Sequence, residues 1–465
     1  MRPSSVASDG RSHSLSGVLP LLTGALWPES TYPRDRLPER VLQFGSGMLL
    51  RALCAAAVDT ANRAGTRAPP APAGRIVVVQ STAEGAPRAR ALNAQDGLFT
   101  LVERGLSGGA PLERIGLIGA ISRALAADGQ WNIVRDVAAR PEMQVIVSNV
   151  SEAGFRIDAP FPGRLTDALH ARFTRAPDAP PVFVIPTELV PDNGPRLAAM
   201  VHELAGRYDR SQAFRDWLKA RVRFCSSLVD RIVTAPTPHQ HAGLEATLGY
   251  RDALLTVTEP YALWAIEADP ADLRTVFPVE SATVVFAPDI AFYRERKLRL
   301  LNAVHTAAAP LALLAGVRTV RDATAHPLLG PFLKRLLFEE IIPATDLPVG
   351  EARTFAHKVL ERFANPWLEH EWRVIATNQE DKFRIRVVPL IVSRALKRRL
   401  GDNASPEGLS LALAAAAHLT FTRASLETLG EAARIPEFVT TTERWIAILA
   451  RDGVEAALAE TARCT

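Results

Sequence analysis

Lys297, Asn302 and His305 stand close together in one apolar stretch, spaced Lys-x4-Asn-x2-His. On an α-helix turning roughly 100° per residue they project at about 0°, 140° and 80°, so all three share one side. A lysine whose pKa is depressed by burial serves as general acid or base near neutral pH. An amide donor stabilises an alkoxide as it develops. An imidazole orients a substrate or the lysine. The flanks Leu298-Arg299-Leu300-Leu301 and Ala307-Ala308-Ala309 would partly desolvate the trio. From spacing alone, a solvated helix face carrying one satisfied histidine is the commoner outcome.

A second group lies near the start of the chain. Gly45-Ser46-Gly47 follows the strand signal Val41-Leu42-Gln43-Phe44 and precedes a helical run from Met48. Between a strand and a helix, glycines let the backbone approach a pyrophosphate, and the helix N-terminus supplies N–H donors and partial positive charge. The third glycine of that fingerprint is replaced by Leu50, so an ordinary glycine turn is the competing reading. The next strand ends Val79-Gln80-Ser81-Thr82, with neither an acid for a ribose 2′-hydroxyl nor an immediate arginine for a 2′-phosphate. NAD is the expected cofactor, with NADP left open.

The remaining polar clusters have plainer readings. Asp230-Arg231, between apolar neighbours, reads as a structural ion pair. Asn378 to Arg386 reads as a basic loop, suited either to a carboxylate or to solvent. His239 and His241 follow Pro236-Thr237-Pro238 in an expected loop without metal-ligand spacing, so no metal is expected. Arg394, Lys397, Arg398 and Arg399 read as a solvated helix end with Gly401 as its C-cap. Cys225 reads as a small buried apolar residue.

The elements that must position these groups follow from periodicity. Ile76-Val77-Val78-Val79 has the pattern of a strand buried on both faces, and Val145-Ile146-Val147 and Val182-Phe183-Val184-Ile185 repeat it with helical segments between. Strands and helices alternating in this way predict an α/β fold with a Rossmann-type doubly wound parallel sheet. After about residue 286 helical patterns dominate: Lys297–Ala315, Pro331–Phe338, Thr354–Phe363, Val388–Leu400, Ser410–His418, Arg423–Leu429 and Thr442–Thr461. The expected organisation is an N-terminal extension over 1–38 with one short apolar helix, a dinucleotide-binding domain over 39–286, and a mostly α-helical substrate and catalytic domain over 287–465.

Composition narrows the function class. The chain has 465 residues, 48% hydrophobic and 22% charged, so it can bury more than one core. A net charge of +4 argues for neither nucleic acid nor an anionic membrane. No apolar run approaches the roughly 18–20 residues of a membrane helix. The apolar stretch from Val18 to Trp27 is short and lacks a clean cleavage pattern after it, which disfavours a signal peptide. Three scattered cysteines without a CxxC fit a reducing cytoplasm.

Taken in order, several segments resemble the mannitol dehydrogenase family of long-chain polyol and sugar-acid dehydrogenases. They include Leu42-Gln43-Phe44-Gly45-Ser46-Gly47, Asn93-Ala94-Gln95-Asp96-Gly97-Leu98, Ser148-Asn149-Val150-Ser151-Glu152-Ala153-Gly154, Pro186-Thr187-Glu188-Leu189, Leu228-Val229-Asp230-Arg231-Ile232-Val233-Thr234, the run from Arg296 to Thr306, and Arg362-Phe363-Ala364-Asn365-Pro366. The likeness spans roughly residues 40–400. It implies Lys297 as catalytic lysine, with Asn302 and His305 completing its signature. It implies Phe44, Gly45, Ser46, Gly47, Ser148 and Asn149 around the cofactor, Val229 and Asp230 near substrate and nicotinamide, and Lys382 at the substrate pocket. Arg373 is a further candidate for the substrate carboxylate. Polyol members carry an Asp-Asn pair where this chain has Glu188-Leu189, and sugar-acid members tend to Glu-Leu, which points to that branch. The implied activity is nicotinamide-dependent, metal-independent interconversion of a keto sugar acid and its alcohol, in a monomer or small homo-oligomer. A hexitol or another keto sugar acid is the alternative within the family, and a catalytically silent nucleotide-binding protein the alternative outside it.

Overall fold

The computed structural model describes residues 19–28, 31–65, 72–399, 407–419 and 430–463. Its first half is built on six parallel strands: β1 (Glu39–Phe44), β2 (Arg75–Gln80), β5 (Ile121–Ala126), β6 (Val145–Ser148), β7 (Val182–Pro186) and β8 (Val222–Phe224), in the order β5-β2-β1-β6-β7-β8. The order reverses between β1 and β6, and in open α/β sheets ligands bind outside the carboxyl ends of the strands at that reversal. Strand alternation divides the core in two. Val41, Ile76, Val78, Val145 and Val147 pack on one face, and Leu42, Phe44, Val77, Val79 and Ile146 on the other. Burial on both faces is the physical cause of the unbroken β-branched runs.

Two smaller sheets were not foreshadowed by those runs. β3 (Phe99–Ser107) and β4 (Ala110–Ile118) form a hairpin, joined by β11 (Thr256–Thr258) and β10 (Val233–Thr234). β9 (Ser227–Asp230) pairs antiparallel with β12 (Leu263–Glu267), which pairs parallel with β13 (Val284–Ala287). β9 carries Val229 and Asp230 to the site.

The second half is helical, around one core drawn from residues between Leu300 and Leu458. Its principal helices are Ala291–Lys297, Val304–Leu314, Val349–Phe363, Gln379–Arg386, Val388–Arg399, Glu407–Leu419 and Pro436–Thr461. The expected helix Arg423–Leu429 lies outside the described residues, as do residues 1–18, Cys464 and the Gly401 cap.

Several local expectations need correction. The stretch expected as an apolar N-terminal helix contains only a 3-10 turn, Gly24–Leu26, and Leu21 instead makes a strand-like bridge to Arg251. The chain just after it is docked, not free: buried Arg34 donates to the carbonyl of Ile121 at 3.2 Å. His239 and His241 lie in a helix, Pro238–Leu248, because Thr237 and Gln240 form a capping box across its first turn. The run Gln379–Arg386 is a helix, started by Asn378 in the left-handed conformation. In the expected solvated basic end, Arg394 is buried and Lys397 donates to the carbonyls of Pro343 and Thr345. Cys225 is buried, and burial pushes its thiol up to about 12, which leaves it unreactive. Among the described residues, no helix is long and apolar enough to cross a membrane.

Candidate active site

The glycine loop closes the carboxyl end of β1. Gly45 has φ +115°, and its amide donates to the carbonyl of Val79 at 2.9 Å. A Cβ there would stand 2.7 Å from the carbonyl oxygen of Asn149. Glycine is therefore required twice, by backbone conformation and by the close approach of the β6 loop. Gly47 differs: a Cβ there would meet nothing within 4 Å, so the loop presents open space on that side. Gly47 also caps the helical run that starts at Met48, and it has no side chain to accept the first amides. Those donors, with the positive end of the helix, fit a pyrophosphate. Ser46 is buried and acts as a brace. Its hydroxyl bonds Gln80 and accepts from Arg88 at 3.2 Å, and its carbonyl accepts from Arg51 at 2.7 Å. Phe44 turns its ring into the core against Phe161, at 5.3 Å between centroids, so only its backbone faces the strand ends. Gly45→Ala should weaken dinucleotide binding at least about tenfold and lower stability by about 1–3 kcal/mol; fluorescence titration with NADH and thermal unfolding check this.

The β6 loop is tied to β7. The Asn149 amide donates to the Phe44 carbonyl at 3.0 Å, and its side chain donates to the Thr187 hydroxyl at 3.0 Å. Glu188, buried past the end of β7, accepts from the Ser148 hydroxyl at 3.1 Å and the Val150 amide at 2.9 Å. Burial raises its carboxyl above the ordinary range, and the hydrogen bonds partly oppose this.

The lysine centre lies where β9 meets the helix Ala291–Lys297. The Lys297 ammonium donates to the Val229 carbonyl at 2.7 Å and lies 3.9 Å from Asp230. Burial pushes its pKa below the ordinary lysine value; Asp230 opposes that shift, and Arg362 and Arg386 add to it. The helix does not continue as a regular α-helix. Residues Leu298–Ala303 form a π-turn, closed by bonds from i to i+5. A π-turn winds more loosely than an α-helix, so the angle between Lys297 and Asn302 is narrower than the about 140° of a regular helix. The Asn302 side chain is half-buried and makes no hydrogen bond to any described residue.

His305 follows one turn later, buried, with its ring stacked on Phe363 at 4.3 Å and edge-on to His370 at 5.1 Å. Burial, then the charges of His370, Arg362, Arg386 and Lys382, hold its pKa well below the usual value, so it is neutral at pH 7. Its Nε2 is buried with no hydrogen-bond partner among the described residues. An unpaired buried nitrogen of this kind is costly unless a ligand completes it.

Asp230 is held by a residue that sequence reasoning did not single out. Arg362 binds it through two hydrogen bonds, 3.0 and 2.9 Å, and binds Glu259 through two more at 2.8 Å. All three side chains are at most 5% exposed, and the guanidinium lies 4.3 Å over the Tyr261 ring. Arg231, the expected partner of Asp230, turns instead to Glu103 and the Ala52 carbonyl. The pairing that adjacency suggested is thus replaced by a long-range one.

Lys382 donates to the Ile375 carbonyl at 2.9 Å, and its charge adds to the lowering of the His305 pKa. Arg373 is not part of this group: its side chain is 79% exposed and pairs with Glu371 at 2.5 Å. Arg386 is the arginine that does belong. It is half-buried, donates to the Thr306 hydroxyl at 3.2 Å, and lowers the pKa of both Lys297 and His305.

A parallel sheet with a glycine loop at its strand reversal, set against a buried lysine on a helical half, defines a dinucleotide-dependent dehydrogenase architecture. The chain belongs to the mannitol dehydrogenase family: residues 39–275 match the model of the mannitol dehydrogenase Rossmann domain, and residues 289–463 match the C-terminal domain. It is therefore an oxidoreductase acting on CH–OH groups. Among curated relatives, the altronate oxidoreductase of Klebsiella pneumoniae is 36% identical over 404 residues, which is 83% of this chain and 80% of that protein. The altronate oxidoreductase of Bacillus subtilis is 34% identical over 76% of this chain and 75% of that protein. Among solved structures, Pseudomonas fluorescens mannitol 2-dehydrogenase, in ternary complex with NAD and D-mannitol, aligns with a TM-score of 0.68 at 23% identity, over 93% of this chain and 96% of that one. A D-sorbitol dehydrogenase aligns with a TM-score of 0.79 at 21% identity, over 94% and 100%.

Proposed function

We propose that this protein interconverts D-tagaturonate and D-altronate with NAD(H), Lys297 serving as proton donor in reduction and proton acceptor in oxidation. The observation that carries the reading is the buried ammonium of Lys297, its pKa lowered, on one helical run with an amide (Asn302) and an imidazole nitrogen (His305) that have no hydrogen-bond partner among the described residues. Together with the altronate oxidoreductases it resembles, that arrangement supports a ketone as the reacting group.

Gly45, Gly47 and the first amides from Met48 would hold the pyrophosphate, with Ser148 and Asn149 beside the cofactor and Val229 and Asp230 near the nicotinamide. When bound, the nicotinamide supplies the hydride to the ketone carbon or takes it back from the alcohol. Lys297 passes its proton to the ketone oxygen as charge develops there. Asn302 donates its amide N–H to the same oxygen, and the free Nε2 of His305 holds a neighbouring hydroxyl. Lys382 and Arg386 supply positive charge for the carboxylate of the sugar acid. Asp230, clamped by Arg362, sets the position of Lys297 and offsets part of its desolvation.

The sign of the pH dependence follows. Reduction needs the lysine protonated, so its kcat falls as pH rises through the Lys297 pKa, which lies below the ordinary 10.5. Oxidation needs the free amine, so its kcat rises across the same interval. Initial rates in both directions over pH 6–10 check the opposition.

The substrate is tested by following NADH oxidation with D-tagaturonate, D-fructuronate and D-fructose, and NAD reduction with D-altronate and D-mannitol. D-tagaturonate should give the highest kcat/KM, and NADH should surpass NADPH. Faster turnover of D-fructuronate or of mannitol would move the assignment to that substrate. NADH binding without turnover of any of them would leave a nucleotide-binding protein.

A further inference from the structure

A separate cleft of about 580 Å³ opens between β12 and the helix Val349–Phe363. Glu259, Tyr261 and Arg362 line it, so it lies against the ion cluster that holds Asp230. Neither Lys297, Asn302, His305 nor Lys382 contributes to its wall. Arg296 does, although it precedes Lys297 directly, because successive helical residues diverge by roughly 100°.

Arg296 sits here without a counter-ion. Its guanidinium lies over Phe355 at 4.6 Å and near Phe292 and Tyr293, each at 5.3 Å. It makes no hydrogen bond or ion pair with any described residue, and its Nε is buried and unsatisfied. Its neighbours contrast with it: Arg294 pairs with Asp192, Arg299 with Glu295, and Arg362 with Asp230 and Glu259. Rings stack on the flat face of a guanidinium, while its N–H donors point outward in the plane as a rigid fork that matches a carboxylate. Lys358, exposed on the same wall, adds a second cation with no partner among the described residues. The acids that also line the cleft are committed or peripheral. Glu259 is taken by Arg362, Glu361 accepts from the Gly109 amide at 2.7 Å, and Glu351 is exposed.

We propose that this cleft is a second ligand site, specific for a small organic carboxylate, with Arg296 as its bidentate anchor and Lys358 as an auxiliary cation. The proposal is independent of which substrate the lysine centre reduces.

The test is calorimetric titration of the full-length protein, saturated with NADH, using citrate as probe and inorganic phosphate as comparison. Arg296→Gln, Lys358→Gln and Lys382→Ala are titrated alongside the wild type. Saturable citrate binding should appear in the wild type, weaken at least about tenfold in Arg296→Gln and about threefold in Lys358→Gln, and persist in Lys382→Ala. Lys358 is exposed, so its variant reports even if Arg296→Gln fails to fold. Absence of saturable binding, equal binding by wild type and Lys358→Gln, loss of binding in Lys382→Ala alone, or tighter binding of phosphate than citrate would each overturn the proposal. So would a wild-type dimer that dissociates in Arg296→Gln without any citrate binding, since a second copy of the chain would then be the occupant.

Discussion

Lys297→Ala lowers kcat for ketone reduction by about 10²–10⁴-fold while NADH binds as tightly as before. The expectation follows from where the ammonium sits. Its hydrogen bond to the Val229 carbonyl and its 3.9 Å separation from Asp230 tie it to β9, and it makes no hydrogen bond to the glycine loop. Removing it would delete the proposed proton donor and leave Gly45, Gly47, Ser148 and Asn149 in place. Lys297→Arg should be nearly as impaired, because a guanidinium keeps its proton throughout the accessible pH range. Steady-state kinetics beside fluorescence titration of NADH separates the two effects. Turnover retained in Lys297→Ala would remove the lysine from the chemistry.

Arg362→Ala is expected to cost about 3–5 kcal/mol of stability. The loss is mostly not the attraction removed. Asp230 and Glu259 are 4% and 1% exposed, and both would be left buried without their counter-charge. Protons would be taken up to relieve this, so the deficit should shrink as pH falls toward the carboxylate range and grow as it rises. Arg362→Lys should recover only part of it, since one ammonium cannot make paired contacts to two carboxylates. Thermal unfolding at several pH values measures the deficit. A variant as stable as wild type at neutral pH would show that the two acids find other partners. Because Asp230 also raises the Lys297 pKa, surviving enzyme should show its pH profile displaced as well.

The sheet was legible because its strands are buried on both faces, which forces runs such as Ile76-Val77-Val78-Val79 that no amphipathic helix tolerates. The hairpin β3–β4 was not, since residues 110–117 of β4 are largely exposed and lack that signature. The Lys-Asn-His trio was legible as spacing, yet its geometry was not. Nothing in the local composition announces the π-turn over Leu298–Ala303. The charge of Arg373 and its nearness in sequence to Lys382 suggest a carboxylate partner, yet an exposed pairing with Glu371 claims it. Arg362 did leave a trace. It falls on the apolar stripe of its helix, three residues after buried Val359 and beside buried Phe363, where a charge is tolerated only with a partner. What sequence could not supply was the partner, because Asp230 and Glu259 lie more than a hundred positions away.

The clamp on Asp230 has a consequence for how substrate enters. Arg362 belongs to the helical half and its two carboxylates to the strand-rich half, and the hairpin loop adds a bond from the Gly109 amide to Glu361. Swinging the halves apart at this point would drag a doubly bonded guanidinium from its acids through a medium too dry to solvate either, so this seam works as a weld and not as a hinge. Traffic to the lysine must then pass through displacement of short segments around a fixed frame.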